Sequence, residues 1–145
     1  MKLEMTKRGA VLSIILALIC IAIIIGYKMW NKPFPGLSRN AYKVTATQLF
    51  KDFSEDEQKA QQKYVPEKLD NKTQEVTGEI KDTGENADGE KYYLLNTGNE
   101  IFGVKCIFNK GDLILKANPG NTVSILGFCT GYNMDVILNR CQQIK

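Results

Sequence analysis

Residues 74–81, QEVTGEIK, decide the fold because their apolar and polar side chains alternate. Val76, Gly78 and Ile80 fall on one face, and the charged and hydroxyl side chains fall on the other. A period of two residues is typical of a β-strand with one buried face. The glycine in the middle predicts a bulge or a sharp coil of this strand, as a small barrel requires.

The same alternation continues towards the carboxyl end and predicts four more strands. We expect them at residues 91–95, 101–108, 122–130 and near 135–141, separated by turns rich in glycine and asparagine. Five strands with a shorter connection between the third and the fourth fit the five-stranded Greek-key barrel called the OB-fold. A closed barrel also leaves so small a domain without exposed strand edges.

The residues before the first strand predict a helical lead-in. Thr45–Gln48 fits a capping box and predicts a helix near Ala46–Phe53. Ser54–Glu57 fits a second capping box and predicts a helix near Glu55–Val65. The alternative is that the two helices form one kinked helix that ends at Pro66. The predicted fold class is therefore mainly β with an α lead-in.

An uncharged apolar run, Ala10–Tyr27, precedes this domain. About eighteen residues at roughly 1.5 Å each approach the roughly 30 Å hydrocarbon thickness of a bilayer. The run predicts an N-terminal transmembrane helix that contacts the membrane through residues 10–27, and an uncleaved signal anchor is favoured over a cleaved signal peptide. The predicted boundaries are 1–30 for the signal anchor, 31–44 for a Pro/Gly linker, and 45–145 for the OB-fold domain with its helical extension.

The cations around this run are nearly balanced, since three lysines or arginines precede it and three follow it. The very short leading segment then favours an amino terminus inside the cell. We expect a single-pass protein of the inner (cytoplasmic) membrane whose domain is periplasmic or extracellular.

Charge and composition narrow the function classes. The net charge is +3, but residues 1–39 carry six Lys/Arg against one glutamate, so the domain itself is slightly acidic. Such a domain lacks the positive surface with which proteins usually bind nucleic acid. The chain has no histidine, which removes the commonest general base and the Ser-His and Cys-His triads. We therefore predict that the protein is not an enzyme and has no cofactor and no metal site.

Three cysteines fall in the domain: Cys106, Cys129 and Cys141. The third and fifth strands of an OB-fold run parallel, which makes Cys106–Cys141 the most plausible disulfide. Strict alternation would nevertheless turn Cys141 away from the Val136/Leu138 face unless a bulge intervenes. The alternative is that all three are small buried hydrophobic residues.

Several short motifs resemble one known family. They are Leu49-Phe50, Ala60 and Tyr64, Val76-x-Gly78, Cys106-x-Phe108, Gly127-x-Cys129-x-Gly131, and Asp135–Leu138 followed by Cys141. In this order and spacing they resemble the tRNA-anticodon-like OB-fold family of small exported or membrane-anchored bacterial proteins. The resemblance covers roughly residues 45–144 and implies nucleic-acid binding by fold analogy, without carrying any catalytic residue.

OB-folds usually bind ligands on their second and third strands and the adjacent loops. Here that surface is predicted to include Lys91, Tyr93, Lys105, Ile107 and Lys110. The alternative is that one of the two tyrosines at 92–93 is core and the lysines only solubilise the domain. We predict a membrane-anchored adaptor that binds a protein, peptide or glycan partner, and the alternative function is binding of single-stranded nucleic acid.

Overall fold

The computed structural model describes residues 7–30, 36–37, 40–65, 72–112 and 114–144, with side chains over 15–27 in the first of these ranges. The chain divides into two compact units, Met1–Phe34 and Pro35–Lys145. The described part of the first unit is one helix of 24 residues, α1 (Lys7–Trp30). Over the described residues, no helix meets the length and apolarity that a membrane crossing requires. A helix is thus present where it was expected, but its predicted membrane span is not supported.

The second unit contains, over its described residues, six strands and two helices. They are β1 (Tyr42–Thr45), α2 (Ala46–Glu55), α3 (Glu57–Tyr64), β2 (Thr73–Glu85), β3 (Lys91–Leu95), β4 (Val104–Phe108), β5 (Thr122–Asn133) and β6 (Asp135–Ile144). The strand order is β1-β2-β3-β4-β6-β5, and pairing of β2 with β5 closes the sheet into a barrel of five strands. β4 and β6 run parallel, and the other barrel pairs are antiparallel. The predicted OB-fold barrel is confirmed.

β2 closes the barrel because it is long enough to pair with two neighbouring strands, β3 and β5. Residues 73–79 pair with β5, and residues 80–85 pair with β3, with a register shift between Ile80 and Asp82. The irregularity expected at Gly78 therefore lies just after it. Gly78 has a different role: a Cβ added there would lie 2.8 Å from the Cβ of Ala46, so its missing side chain lets α2 approach the strand.

The two lead-in helices are confirmed, with one correction. Thr45 caps α2 as predicted, and its hydroxyl accepts a hydrogen bond from the Gln48 amide at 3.2 Å. Asp56 rather than Ser54 caps α3, because its carboxylate accepts from the Lys59 amide at 3.0 Å. Ser54 lies inside α2, and Pro66 lies outside the described residues.

β1 is a strand at the end of the predicted linker 31–44, and its last residue, Thr45, lies beyond that boundary. Its four residues pair in parallel with residues 74–77 of β2. Tyr42 and Val44 are strand-forming residues in a stretch without turn residues, which explains the pairing. The linker prediction at 31–35 and 38–39 lies outside the described residues.

The barrel core joins alternate residues of all five strands to the buried face of α2. From the strands it includes Val76, Ile80, Leu95, Val104, Cys106, Phe108, Ile125, Cys129, Val136, Leu138 and Cys141. From α2 it includes Ala46, Leu49, Phe50 and Phe53, and the two phenylalanine rings pack on Tyr132 at centroid distances of 6.1 and 5.8 Å. The connection from β4 to β5 adds Ile114 and Ala117, which pack against the core. The predicted inward face of β2, with Val76 and Ile80, is therefore confirmed.

Candidate ligand-binding surface

The outer surface of β3 and β4 is set by their cross-strand pairs. Tyr92 pairs with Ile107 and Leu94 pairs with Lys105, whereas Tyr93 pairs with Cys106, which is buried. Since cross-strand partners point to the same side of a sheet, the first two pairs face outward together. We call the group of half-buried outward residues around these two pairs the outer face. It consists of Gly84, Tyr92, Leu94, Lys105, Ile107 and Ile137.

Tyr92 is held in place from two sides. A Cβ added to Gly84 would lie 2.5 Å from the Tyr92 hydroxyl oxygen, so the ring lies across the bare backbone of β2. The Lys105 Nζ lies 4.2 Å from the centroid of the same ring. A cation–π contact of this kind contributes about 0.5–1 kcal/mol at an exposed site. The outer face thus carries a fixed aromatic ring with an ammonium group beside it.

Four of the five predicted ligand residues lie on or beside this face. Lys105 and Ile107 belong to it, and Lys91 and Lys110 are exposed at the adjacent ends of β3 and β4. Lys110 reaches the β2–β3 hairpin, where its Nζ lies 3.6 Å from the position of a Cβ added to Gly89. The structure therefore brings these four side chains to one region of the surface.

Tyr93 is the exception, and its predicted place on the ligand face is wrong. Its side chain is only 6% exposed, and its ring packs edge-on against Phe108 at 5.0 Å. The hydroxyl donates a hydrogen bond to the Leu115 carbonyl at 3.0 Å, and burial raises the pKa of Tyr93. The pairing of Tyr93 with Cys106 is the physical reason, because it directs the ring into the barrel. Tyr92 takes its place on the outer face.

A small pocket of about 260 Å³ adjoins the outer face at Ile107 and was not predicted. Its lining residues are Glu90, Ile107, Phe108, Asn109, Asn139 and Arg140. Asn139 and Arg140 come from β6, which is remote in sequence but lies parallel to β4. Arg140 has a φ of 55°, an uncommon conformation for a residue other than glycine. The bulge that Cys141 requires was the one sequence signal that could have drawn attention to these residues.

The β2–β3 hairpin next to this pocket is ordered by Asn86. Its side-chain oxygen accepts from the amides of Asp88 and Glu90, at 3.1 and 2.9 Å. Its amide nitrogen donates to the Glu90 carboxylate at 3.0 Å. The hairpin therefore presents acidic groups close to Lys91 and Lys110, and the surface is electrostatically mixed.

The bulge in β6 also determines where the cysteines lie. The register of β4 against β6 shifts between Cys106 and Phe108, so that Phe108 pairs with Cys141 and the Cys141 side chain is buried. The bulge that the sequence required for a Cys106–Cys141 contact is thus present. Burial, and then the neighbouring Cys106 thiol, raises the pKa of Cys141 well above its ordinary value. All four cysteines are free thiols in this structure, and the disulfide stays a prediction.

Comparison with known proteins supports the barrel assignment. A crystal structure of a proposed nucleic acid-binding lipoprotein from Klebsiella pneumoniae subsp. pneumoniae MGH 78578 is similar to this chain, with a TM-score of 0.51 and 18% sequence identity. The similarity covers 71% of this chain and 92% of that one. At this identity the likeness shows a shared fold. No curated protein matches the sequence.

The family comparison agrees with the resemblance in the short motifs. The model of the tRNA_anti-like family matches residues 1–143, which include the helical lead-in and all strands up to β6. This chain therefore belongs to the tRNA_anti-like family.

Proposed function

We propose that this protein is a non-enzymatic binding module whose outer face holds a protein, peptide or glycan partner. The observation that carries the proposal is the arrangement of Gly84, Tyr92 and Lys105, which fixes one aromatic ring and one cation on the outer face. Half-buried Leu94, Ile107 and Ile137 surround them. Apolar area around a few oriented polar groups is the usual composition of a binding site.

The mixed charge of this region favours such a partner over a polyanion. Lys91, Lys105 and Lys110 stand among Glu85, Asp88 and Glu90. These carboxylates repel the phosphate groups of a nucleic-acid backbone. The surface therefore suits a ligand with both polar and apolar groups. Tyr92 adds a rigid amphipathic ring, which is a common anchor in recognition of proteins.

The absence of enzymatic activity is also part of the proposal. The chain has no histidine, and the cysteines of the domain are buried. Burial raises the pKa of Cys129 to about 11, so its thiol stays protonated and poorly nucleophilic near neutral pH. The outer face therefore carries neither an imidazole nor a thiol for general-base or nucleophilic chemistry.

The proposed location is the inner (cytoplasmic) membrane, with the barrel in the periplasm or outside the cell. Its support is the uncharged run Ala10–Tyr27 within α1, together with the family resemblance to exported or anchored bacterial proteins. Protease protection of a tag at the carboxyl end in intact cells tests it. Cleavage by external protease after outer-membrane permeabilisation is expected, and a protected tag contradicts it.

The proposed partner class is tested by purification of the full chain from chemically crosslinked cells. Captured material is treated separately with protease, nuclease and glycosidase. We expect the crosslinked species to be sensitive to protease or glycosidase and to be reduced in a Tyr92→Ala variant. Species that nuclease alone removes would contradict the proposal.

A second candidate function is binding of single-stranded nucleic acid. The Tyr92–Lys105 pair favours it, since aromatic rings stack on bases and ammonium groups hold phosphates. The family assignment and the description of the Klebsiella structure point the same way. Titration with a single-stranded oligonucleotide at low and high salt tests it. Affinity that falls steeply with salt supports this function, and absent or salt-insensitive binding rejects it.

A further inference from the structure

β1 leaves one side of the sheet open. Among the described residues it pairs only with β2, so its other edge has no strand partner. A strand paired on one side turns the N–H and C=O groups of alternate residues towards the open side. Tyr42–Thr45 therefore presents a short row of backbone donors and acceptors to whatever lies alongside.

A surface cleft of about 610 Å³ lies next to this edge. Its lining residues are the four residues of β1 together with Gln48, Lys63, Tyr64, Glu75 and Thr77. The volume is within the range of ligand-binding sites. None of these residues belongs to the outer face, so the cleft is a separate site of the molecule.

A network of three side chains lies behind an aromatic ring at this cleft. Tyr42 is 53% exposed and packs edge-on against Tyr64 at 5.8 Å between ring centroids. Tyr64 is buried and donates its hydroxyl hydrogen to Asp52 at 2.6 Å. The Lys63 Nζ binds the same carboxylate at 3.0 Å and lies 5.7 Å from the Tyr42 centroid. An exposed ring backed by fixed side chains is a good anchor point for a partner.

The exposed charge around the cleft is positive. The side chains of Lys43 and Lys63 are 78% and 45% exposed, whereas those of their partners Glu75 and Asp52 are 20% and 19% exposed. The lysine side chains are therefore more exposed than those of the carboxylates with which they pair. A ligand that complements this edge carries acidic side chains.

We propose that the β1 edge is a docking site for an extended, acidic segment of a partner protein, which adds to the sheet as a strand beside Tyr42–Thr45. Main-chain hydrogen bonds to β1 supply affinity, as in other cases of strand addition. Apolar side chains of the segment contact Tyr42 on one face of the strand, and acidic ones pair with Lys43 on the opposite face. This proposal does not depend on the outer face, and either site can fail without the other.

Selection of displayed random peptides on the full chain in detergent micelles tests the proposal. We expect selected peptides in which Asp or Glu alternates with apolar residues. We expect these peptides to protect from hydrogen exchange the β1 amides that point away from β2. Tyr42→Ala and Lys43→Gln should each weaken binding of a synthetic copy by about tenfold, the loss expected for one good contact. Lys116→Gln, an exposed lysine in the β4–β5 connection, is the matched control and should leave binding unchanged.

Three results would overturn the proposal. Protection without peptide of the β1 amides that point away from β2 would show that another segment of this chain covers the edge. Protection that rises with protein concentration would identify a second copy as the occupant. Selected peptides that lack acidic residues, or that bind without changing the exchange of residues 42–45, would reject strand addition of an acidic segment.

Discussion

The ring of Tyr92 lies directly over Gly84, with its hydroxyl oxygen 2.5 Å from where a Cβ of residue 84 would be. Real side chains do not tolerate this distance, so any residue other than glycine at position 84 must displace the ring. On the other side Lys105 lies 4.2 Å from the ring centroid. The conformation of the proposed ligand surface therefore depends on one glycine of the neighbouring strand.

Gly84→Ala is expected to impair ligand capture more than folding. The methyl group displaces Tyr92 and its contact with Lys105, at a cost on the order of 1 kcal/mol in the free energy of unfolding. The amount of partner that the purified full chain captures by crosslinking should fall to the amount that the Tyr92→Ala variant captures. Full capture by a folded Gly84→Ala variant would show that the position of Tyr92 does not matter.

Gly127→Ala is expected to destabilise the barrel by overpacking. A Cβ there would lie 2.9 Å from the Cys141 Sγ and 3.2 Å from a methyl carbon of Leu138. Overpacking of a filled core costs about 1–3 kcal/mol, and Cys141→Ala in the same chain should recover part of it. Urea unfolding of both single variants and the double variant measures this coupling. Purely additive effects would contradict the contact.

Gln74 is expected to be the most costly polar side chain of the domain to remove. It is buried, donates to the Tyr64 carbonyl at 2.7 Å and accepts from the Cys129 amide at 2.9 Å. Gln74→Leu leaves two buried backbone groups without partners, which costs on the order of 3 kcal/mol in unfolding free energy. Gln61→Leu, at an exposed position of α3, is the matched control and should cost little. Equal losses in both variants would reject this role.

The Asp52 carboxylate is expected to make stability sensitive to acid. Burial alone would raise the pKa of Asp52, but hydrogen bonds from Tyr64, Lys63 and Gln48 outweigh it and lower the pKa below its ordinary value of 3.8. A lowered pKa stabilises the fold above that ordinary value, and the contribution disappears as the pH falls through the folded-state pKa. Between neutral pH and about pH 3 the native chain should therefore lose more stability than Asp52→Asn, by thermal unfolding.

Glu55→Gln controls for the loss of an exposed acid from the same helix. It should keep the acid sensitivity of the native chain, because Glu55 forms only an exposed ion pair with Lys51 at 3.7 Å. Identical pH profiles for Asp52→Asn and the native chain would contradict the proposed contribution of Asp52.

The barrel could be predicted from sequence because its signals are local. Alternation in residues 74–81 and 122–130 specifies which side chains face inward, and those faces are confirmed. The position of Tyr93 could not be predicted in the same way, because residues 92–95 are apolar or aromatic on both faces of the strand. Only its pairing with Cys106 decides that Tyr93 is buried and Tyr92 is not.

Long-range pairing explains the other differences between prediction and structure. β1 has only four residues, and its pairing partner lies about thirty residues along the chain. Asn139 and Arg140 join the outer region through the parallel β4–β6 pair, and the position of Cys141 off the Val136/Leu138 face was the one sequence signal of the bulge at Arg140. Such features depend on the assembled sheet, whereas local periodicity reports only one strand at a time.

Site-directed photo-crosslinking in membranes tests the central claim most directly. A photoreactive amino acid replaces Lys91, beside the outer face, and in a separate chain replaces Lys59, exposed on α3. We predict a discrete protease- or glycosidase-sensitive adduct from position 91 that Lys105→Glu abolishes, and no such adduct from position 59. Equal crosslinking from both positions, or an adduct at position 91 that is indifferent to Lys105→Glu, would contradict binding at the outer face.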